Sequence, residues 1–147
     1  TLINRIAPID GSADIYTFEP KVRATLNITQ ENIEAIQEAM VWVVKNRRGT
    51  AEYQLGGLPY KLAGKTGTAE NPLGDSHAWF AGYTWNNNPN KPDIAVAIIL
   101  ENAGEGSEMA ALLFRRVVQL YNSNYSNAGG TMPWEDRPYV PATDDDE

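Results

Sequence analysis

Three strand-like segments crowd into the middle of this chain and limit what it can fold into. They are Tyr60 to Ala69 (YKLAGKTGTA), His77 to Trp85 (HAWFAGYTW) and Asp93 to Glu101 (DIAVAIILE). The links between them carry Asn, Pro, Gly and Asp, the residues of antiparallel connections. The third segment is apolar on both faces, so it is expected inside a sheet rather than at an open edge.

Helical periodicity flanks the strands on both sides. Thr29 reads as an N-cap, with Glu31 and Glu34 early, where the helix dipole favours negative charge. Ile33, Ile36, Met40, Val43 and Val44 follow on one stripe, and Lys45, Arg47, Arg48 and Gly49 suit the far end. This predicts a helix over Gln30 to Arg47. A second helix is predicted from an N-cap at Ser107, with Ala110, Leu113, Phe114, Val117, Val118 and Tyr121 toward the core. Arg115 and Arg116 fall on its expected solvent side.

Ahead of both helices, Thr1 to Ala7 reads as a strand, Asp10-Gly11 as a turn and Asp14 to Phe18 as the returning strand. The order hairpin, helix, three strands, helix is an α+β layout: an antiparallel sheet, a three-strand meander plus an N-terminal hairpin, packed with two helices. Residues 1–122 form the expected domain. Residues 123–147, with Gly129-Gly130, three prolines and an acidic end, read as a flexible tail.

Composition removes several function classes. The chain has 147 residues, 42% hydrophobic and 21% charged, which suits a globular domain. It has no cysteine, so disulfides, thiolate metal sites and cysteine nucleophiles are excluded. A single histidine, His77, excludes multi-histidine metal sites. The net charge of -7 disfavours nucleic acid. The longest apolar run, Ile94 to Leu100, is too short to cross a bilayer. No metal or cofactor is expected.

The informative string is Lys65-Thr66-Gly67-Thr68. Alone, such a tetrapeptide is more often an exposed strand segment. Here it lies on a predicted strand, with two further strands and a helix behind it. K-T-G on a strand is one of the motifs shared by penicillin-binding proteins and serine β-lactamases. Together with Gly49-Thr50-Ala51 before it, Trp79-Phe80-Ala81-Gly82-Tyr83 on the next strand and Ile94 to Glu101 before the last helix, it makes the chain resemble the C-terminal part of a penicillin-binding transpeptidase domain. The resemblance is to the class B type and covers about Thr1 to Tyr121.

That resemblance implies a partial transpeptidase fold and acyl transfer from a D-alanyl-D-alanine stem peptide of peptidoglycan, or acylation by a β-lactam. Such a donor carries a carboxylate beside the scissile carbonyl. Lys65, Thr66 and Thr68 offer it a cation and hydroxyls, and Gly67 leaves the strand open to a close backbone approach. In the family, the N–H at the position of Thr68 is an oxyanion-hole donor. Lys65 and Thr68 are therefore the implied catalytic residues, and Lys65 to Thr68 the implied substrate-binding set.

The family's nucleophile motif, S-x-x-K, is not in this sequence. Ser12, Ser76, Ser107, Ser123 and Ser126 are followed three places on by Ile15, Trp79, Ala110, Ser126 and Gly129. Tyr125-Ser126-Asn127 spells a variant of the second motif, but in the wrong order. The chain is expected to be one piece of a larger enzyme, inactive alone. Its partners would be the missing upstream part of the same domain and, through an unpaired strand, a second copy of itself. Its place would be extracytoplasmic, with a membrane anchor in a segment outside this chain. Two other functions stay open: a β-lactam sensor domain, and a non-catalytic transpeptidase-like binding module. A β-lactamase fits less well.

The remaining polar residues have simpler readings. His77 opens a strand beside a polar loop and is expected to be a surface or hydrogen-bonding residue rather than a base. Glu101, Asn102 and Glu105 surround a Gly-rich turn without metal-ligand spacing. Trp79, Phe80, Tyr83 and Trp85 alternate in facing, and one face is expected in the core.

Overall fold

Residues 3–123 are described in a computed structural model. They fall into two compact units that divide between Asn32 and Ile33. The proposed tail lies outside the described residues from residue 124 onward.

The first unit holds the expected hairpin. β1 (Arg5–Ile6) pairs antiparallel with β2 (Tyr16–Thr17), with Arg5 opposite Thr17 and Ile6 opposite Tyr16. Gly11 takes a positive φ of 76°, and Asp10 accepts the Ser12 amide at 3.0 Å, so Asp10-Gly11 turns the chain as read. That amide holds the Asp10 carboxyl below its usual value.

The second unit contains most of α1 (Gln30–Lys45), which starts where the Thr29 hydroxyl accepts the Asn32 amide at 3.3 Å. The apolar stripe of this helix is only partly used. Val44 is fully buried, while Ile36 is 53% exposed. Of residues 30–37 only Ile33 is half-buried, and the others are exposed.

After α1 the chain doubles back. The Ala51 amide donates to the Val43 carbonyl at 3.1 Å, and the Gly49 amide to the Asn46 carbonyl at 2.7 Å. A Cβ on Gly49 would meet the Val43 carbonyl oxygen at 2.3 Å, so only glycine fits there. A short helix, α2 (Glu52–Leu55), follows and sends Leu55 into the core. Two helices were expected and three are present among the described residues. Four residues are too few to show a helical period. Lys45 clamps this turn by donating to the carbonyls of Gly56 and Leu58, both at 3.1 Å.

The meander is as read: β3 (Leu62–Ala69), β4 (His77–Thr84) and β5 (Ala95–Leu100), antiparallel in the order β3-β4-β5. Lys65 sits opposite Ala81, and Ala81 opposite Ala97. α3 (Ala110–Asn122) covers one face of this sheet. Phe80 and Phe114 are both fully buried there, with ring centroids 4.7 Å apart and planes tilted by 41°.

Three expectations need correction. β5 is an edge strand among the described residues, because β1 pairs with β2 and no other strand reaches it. Its inner side, Val96, Ile98 and Leu100, packs on the core, while Ile99 is 45% exposed. α3 is entered without a Ser107 cap: the carbonyl of Glu105 accepts the amides of Glu108 and Met109, and that of Gly106 accepts the Ala111 amide. Finally, Arg116 is buried (5% exposed) and Val117 is 38% exposed. The buried positions 110, 114 and 118 recur every four residues, which leaves 117 on the flank.

The link from β4 to β5 is locked by one carboxylate. Asp93 accepts the Thr84 hydroxyl at 2.7 Å and the amides of Asn86 and Asn87 at 2.8 and 3.1 Å. The Thr84 bond first, then the two amides and the Lys61 charge, hold its carboxyl below the ordinary value despite some loss of water. Lys91 and the Tyr121 hydroxyl tie the same loop to the end of α3, the latter through the Pro92 carbonyl at 2.7 Å.

Candidate functional site

The strand alternation of β3 splits the four residues of interest between two faces. Lys65 and Gly67 lie on the face away from α3, opposite Ala81 and Trp79. Thr66 and Thr68 lie on the α3 face, opposite Phe80 and Ala78. The four meet only along the backbone.

That backbone is at an edge. β3 pairs with β4 on one side and with no strand on the other among the described residues. The Trp85 amide donates to the Lys61 carbonyl at 3.1 Å, making these two a hydrogen-bonded pair. Counting along the fixed register, Lys65 and Gly67 belong to the ladder, and the N–H and C=O groups of Thr66 and Thr68 turn outward. The free edge thus presents the Thr68 amide.

The side chains have distinct surroundings. The Lys65 ammonium folds back to donate to the Thr66 carbonyl at 2.5 Å. Lys65 also lines a cavity of about 350 Å³ with Trp42, Asn46, Arg48, Gly49 and Thr50. Thr66 is only 8% exposed, and its hydroxyl lies 2.8 Å from that of Thr50. The doubled-back chain after α1 places Thr50 there. Thr68 is exposed, and its hydroxyl donates to Glu105 Oε2 at 2.7 Å.

Gly67 has its own constraint. A Cβ there would stand 3.1 Å from the Trp79 Cβ, a tight but not forbidden distance. On Gly64, by contrast, a Cβ would come within 2.4 Å of the Phe80 ring. Gly64 therefore serves ring packing rather than a backbone approach from outside.

Sequence reading did not assign Thr50 or Glu105 a part in this site. Thr50 stood within the Gly49-Thr50-Ala51 signal, but nothing in that signal says that it reaches Thr66. Glu105 stood out only as a weak candidate for a metal loop. Glu105 Oε2 is engaged with Thr68, and the neighbouring Asn102 is engaged with protein too. Asn102 Oδ1 accepts from Asn71 Nδ2 at 2.6 Å, and the Asn102 amide donates to His77 Nδ1 at 3.0 Å. His77 is thus a hydrogen-bond acceptor at a strand end. Of the aromatic row, Phe80 is in the core, and Trp79 and Trp85 are about two-fifths exposed. Tyr83 and Trp85 line a cavity of about 460 Å³ with Gln37, Glu38, Val41 and Trp42 of α1.

A strand edge carrying Lys-Thr-Gly-Thr, followed by two antiparallel strands and a helix packed across them, is the arrangement of a known domain. Residues 1–119 match the penicillin binding protein transpeptidase domain, and the chain belongs to that family. Among its relatives is the peptidoglycan D,D-transpeptidase MrdA of Haemophilus influenzae, 37% identical over 103 residues, 60% of this chain and 15% of that protein. MrdA of Escherichia coli K12 is 32% identical over 98 residues, 54% of this chain and 14% of that protein.

Solved structures agree. Pseudomonas aeruginosa PBP2, crystallised in complex with WCK 5153, is similar with a TM-score of 0.53 and 29% identity, over 90% of this chain and 26% of that one. Helicobacter pylori PBP2, in its complex with MreC, is similar with a TM-score of 0.52 and 31% identity, over 65% and 18%. This chain therefore spans about one seventh of the length of the curated transpeptidases it matches.

Proposed function

We propose that this chain is the K-T-G-bearing segment of a serine D,D-transpeptidase that cross-links peptidoglycan and is acylated by penicillins. The observation that carries the reading is the free edge of β3, where Lys65 lines a cavity and the Thr68 amide points outward. In this reading Lys65 draws the donor's carboxylate by charge, and Gly67 allows the donor's backbone to lie along the strand. The Thr68 amide steadies the oxyanion that forms when the carbonyl is attacked, with its hydroxyl beside the carboxylate. Thr66, held by Thr50, sets the strand's position. No side chain of this chain is assigned as the nucleophile. It would come from the upstream part of the same domain, which would also cover β5 and the exposed turns of α1. The substrate places the enzyme outside the cytoplasmic membrane. Among the described residues, no helix is long and apolar enough to cross a membrane, so an anchor would lie elsewhere in the protein.

The test is labelling with a fluorescent penicillin. The full-length protein should form a stoichiometric covalent adduct, and this chain alone should form none. Lys65→Ala in the full-length protein should slow adduct formation by roughly a hundredfold, comparable to losing one preorganised electrostatic contact. An adduct on the isolated chain, or unchanged labelling of the Lys65→Ala protein, would refute the reading.

A further inference from the structure

We propose that Glu105 competes with the carboxylate of an anionic acyl donor for the single proton of the Thr68 hydroxyl, and so sets how readily anions occupy the K-T-G edge. This rests on the function proposed above, in which Thr68 faces that carboxylate.

Proton counting is the first argument. Thr68 donates to Glu105 Oε2 at 2.7 Å and accepts the Gly106 amide at 3.5 Å. A hydroxyl has one proton and two lone pairs. With the proton given to Glu105, only a lone pair is left for the cleft. A carboxylate also offers only lone pairs, so it gains the Thr68 proton by displacing Glu105.

Charge is the second. An anion bonded to Thr68 would sit no more than about 5.5 Å from Glu105, two hydrogen bonds end to end. Like charges at that range, near a protein surface, weaken binding by about tenfold or more. Glu105 thus subtracts from the attraction that Lys65 supplies.

The loop makes this a fixed toll. A Cβ on Gly106 would lie 2.2 Å from the Gly67 carbonyl oxygen and 2.4 Å from that of Trp79, so the backbone rests directly on β3 and β4. The Gly104 amide donates to the Ser76 carbonyl at 2.9 Å, and the Glu105 carbonyl accepts two amides of the next turn. The backbone is pinned on both sides of residue 105. Only its exposed side chain swings.

The experiment measures the second-order acylation rate of the full-length protein by benzylpenicillin, a monoanion. End-point labelling counts competent molecules, so rates refer to folded protein. Glu105→Gln keeps an acceptor and removes the charge; Glu105→Ala removes both. At about 10 mM ionic strength, where screening reaches ~30 Å, Glu105→Gln should react about tenfold faster than wild type. At about 1 M, where it falls to ~3 Å, most of that gain should vanish. Glu105→Ala should gain at least as much as Glu105→Gln at low salt. Equal rates for wild type and Glu105→Gln at low salt, a loss in Glu105→Gln, or a gain indifferent to salt overturns the proposal. A purely structural role for Glu105 predicts a slower Glu105→Ala with no salt dependence. A wild type that takes no penicillin, or a Lys65→Ala variant that labels as fast, overturns the underlying function instead.

Discussion

The two faces of the β3-β4-β5 sheet are built from the same strands and have opposite fates. Under α3, Leu62, Phe80 and Phe114 are buried to 1% exposure or less, and Val96, Ile98 and Leu100 seal the side. On the other face, Trp79 and Ile99 sit opposite each other and are each more than two-fifths exposed. Alternation dictates that both faces exist; it does not require both to be covered. One face is completed by this chain's own helix. The other is covered only in part: Ala63 is fully buried and Tyr83 and Trp85 share a cavity with α1, while Trp79 and Ile99 stay open among the described residues.

The largest contrast should appear on truncation. Phe114→Ala should cost about 3–5 kcal/mol, since the ring is fully enclosed and the Phe80 ring opposite would be left against a void. Ile99→Lys on the open face should change stability by no more than about 0.5 kcal/mol. Urea unfolding of the two variants would measure both. Equal losses would mean that the faces are not different in kind.

A smaller effect concerns what the open face does. An unpaired apolar edge strand invites association, so the isolated chain should self-associate through β5. Ile99→Lys should weaken that association by about tenfold, as burying an unpaired charge would. Sedimentation over a concentration series reads this directly. A strictly monomeric wild type at high concentration would show that the edge is protected.

The smallest effect is an acid dependence at the loop between β4 and β5. The folded-state Asp93 carboxyl is held below 3.8, its ordinary value, so the bonds it accepts stabilise the fold fully above that pH, and the stabilisation is lost as pH falls from there through the lower folded-state value. Asp93→Asn should therefore be less stable than wild type at neutral pH, with the gap closing below about pH 4. A gap that stays constant down to acid pH would remove the carboxylate from the account.

Much of this architecture was legible in the residues. Thr29 caps α1, Asp10-Gly11 turns the hairpin, and β3 and β4 end within two residues of the expected limits, because each depends on local backbone chemistry or a short period. What failed was non-local. α2 was missed because one turn has no periodicity. β5 was expected inside a sheet because an apolar strand records that something should cover it, not whether the cover is present. Arg116 was placed in solvent and Val117 in the core because a helical wheel fixes relative angles, while the neighbouring sheet fixes which angle points inward.

The candidate site divides in the same way. Lys65, Thr66, Gly67 and Thr68 stand in one string, and strand alternation alone sorts them onto two faces. The hydroxyl of Thr50 on Thr66 and the carboxylate of Glu105 on Thr68 close contacts across 16 and 37 residues. Sequence determined the strand, its charge and its hydroxyls, because period-two geometry and residue chemistry are local. Only the tertiary structure decided which hydroxyl is already occupied and by what, because a side chain's proton goes to whichever acceptor the folded chain brings within reach.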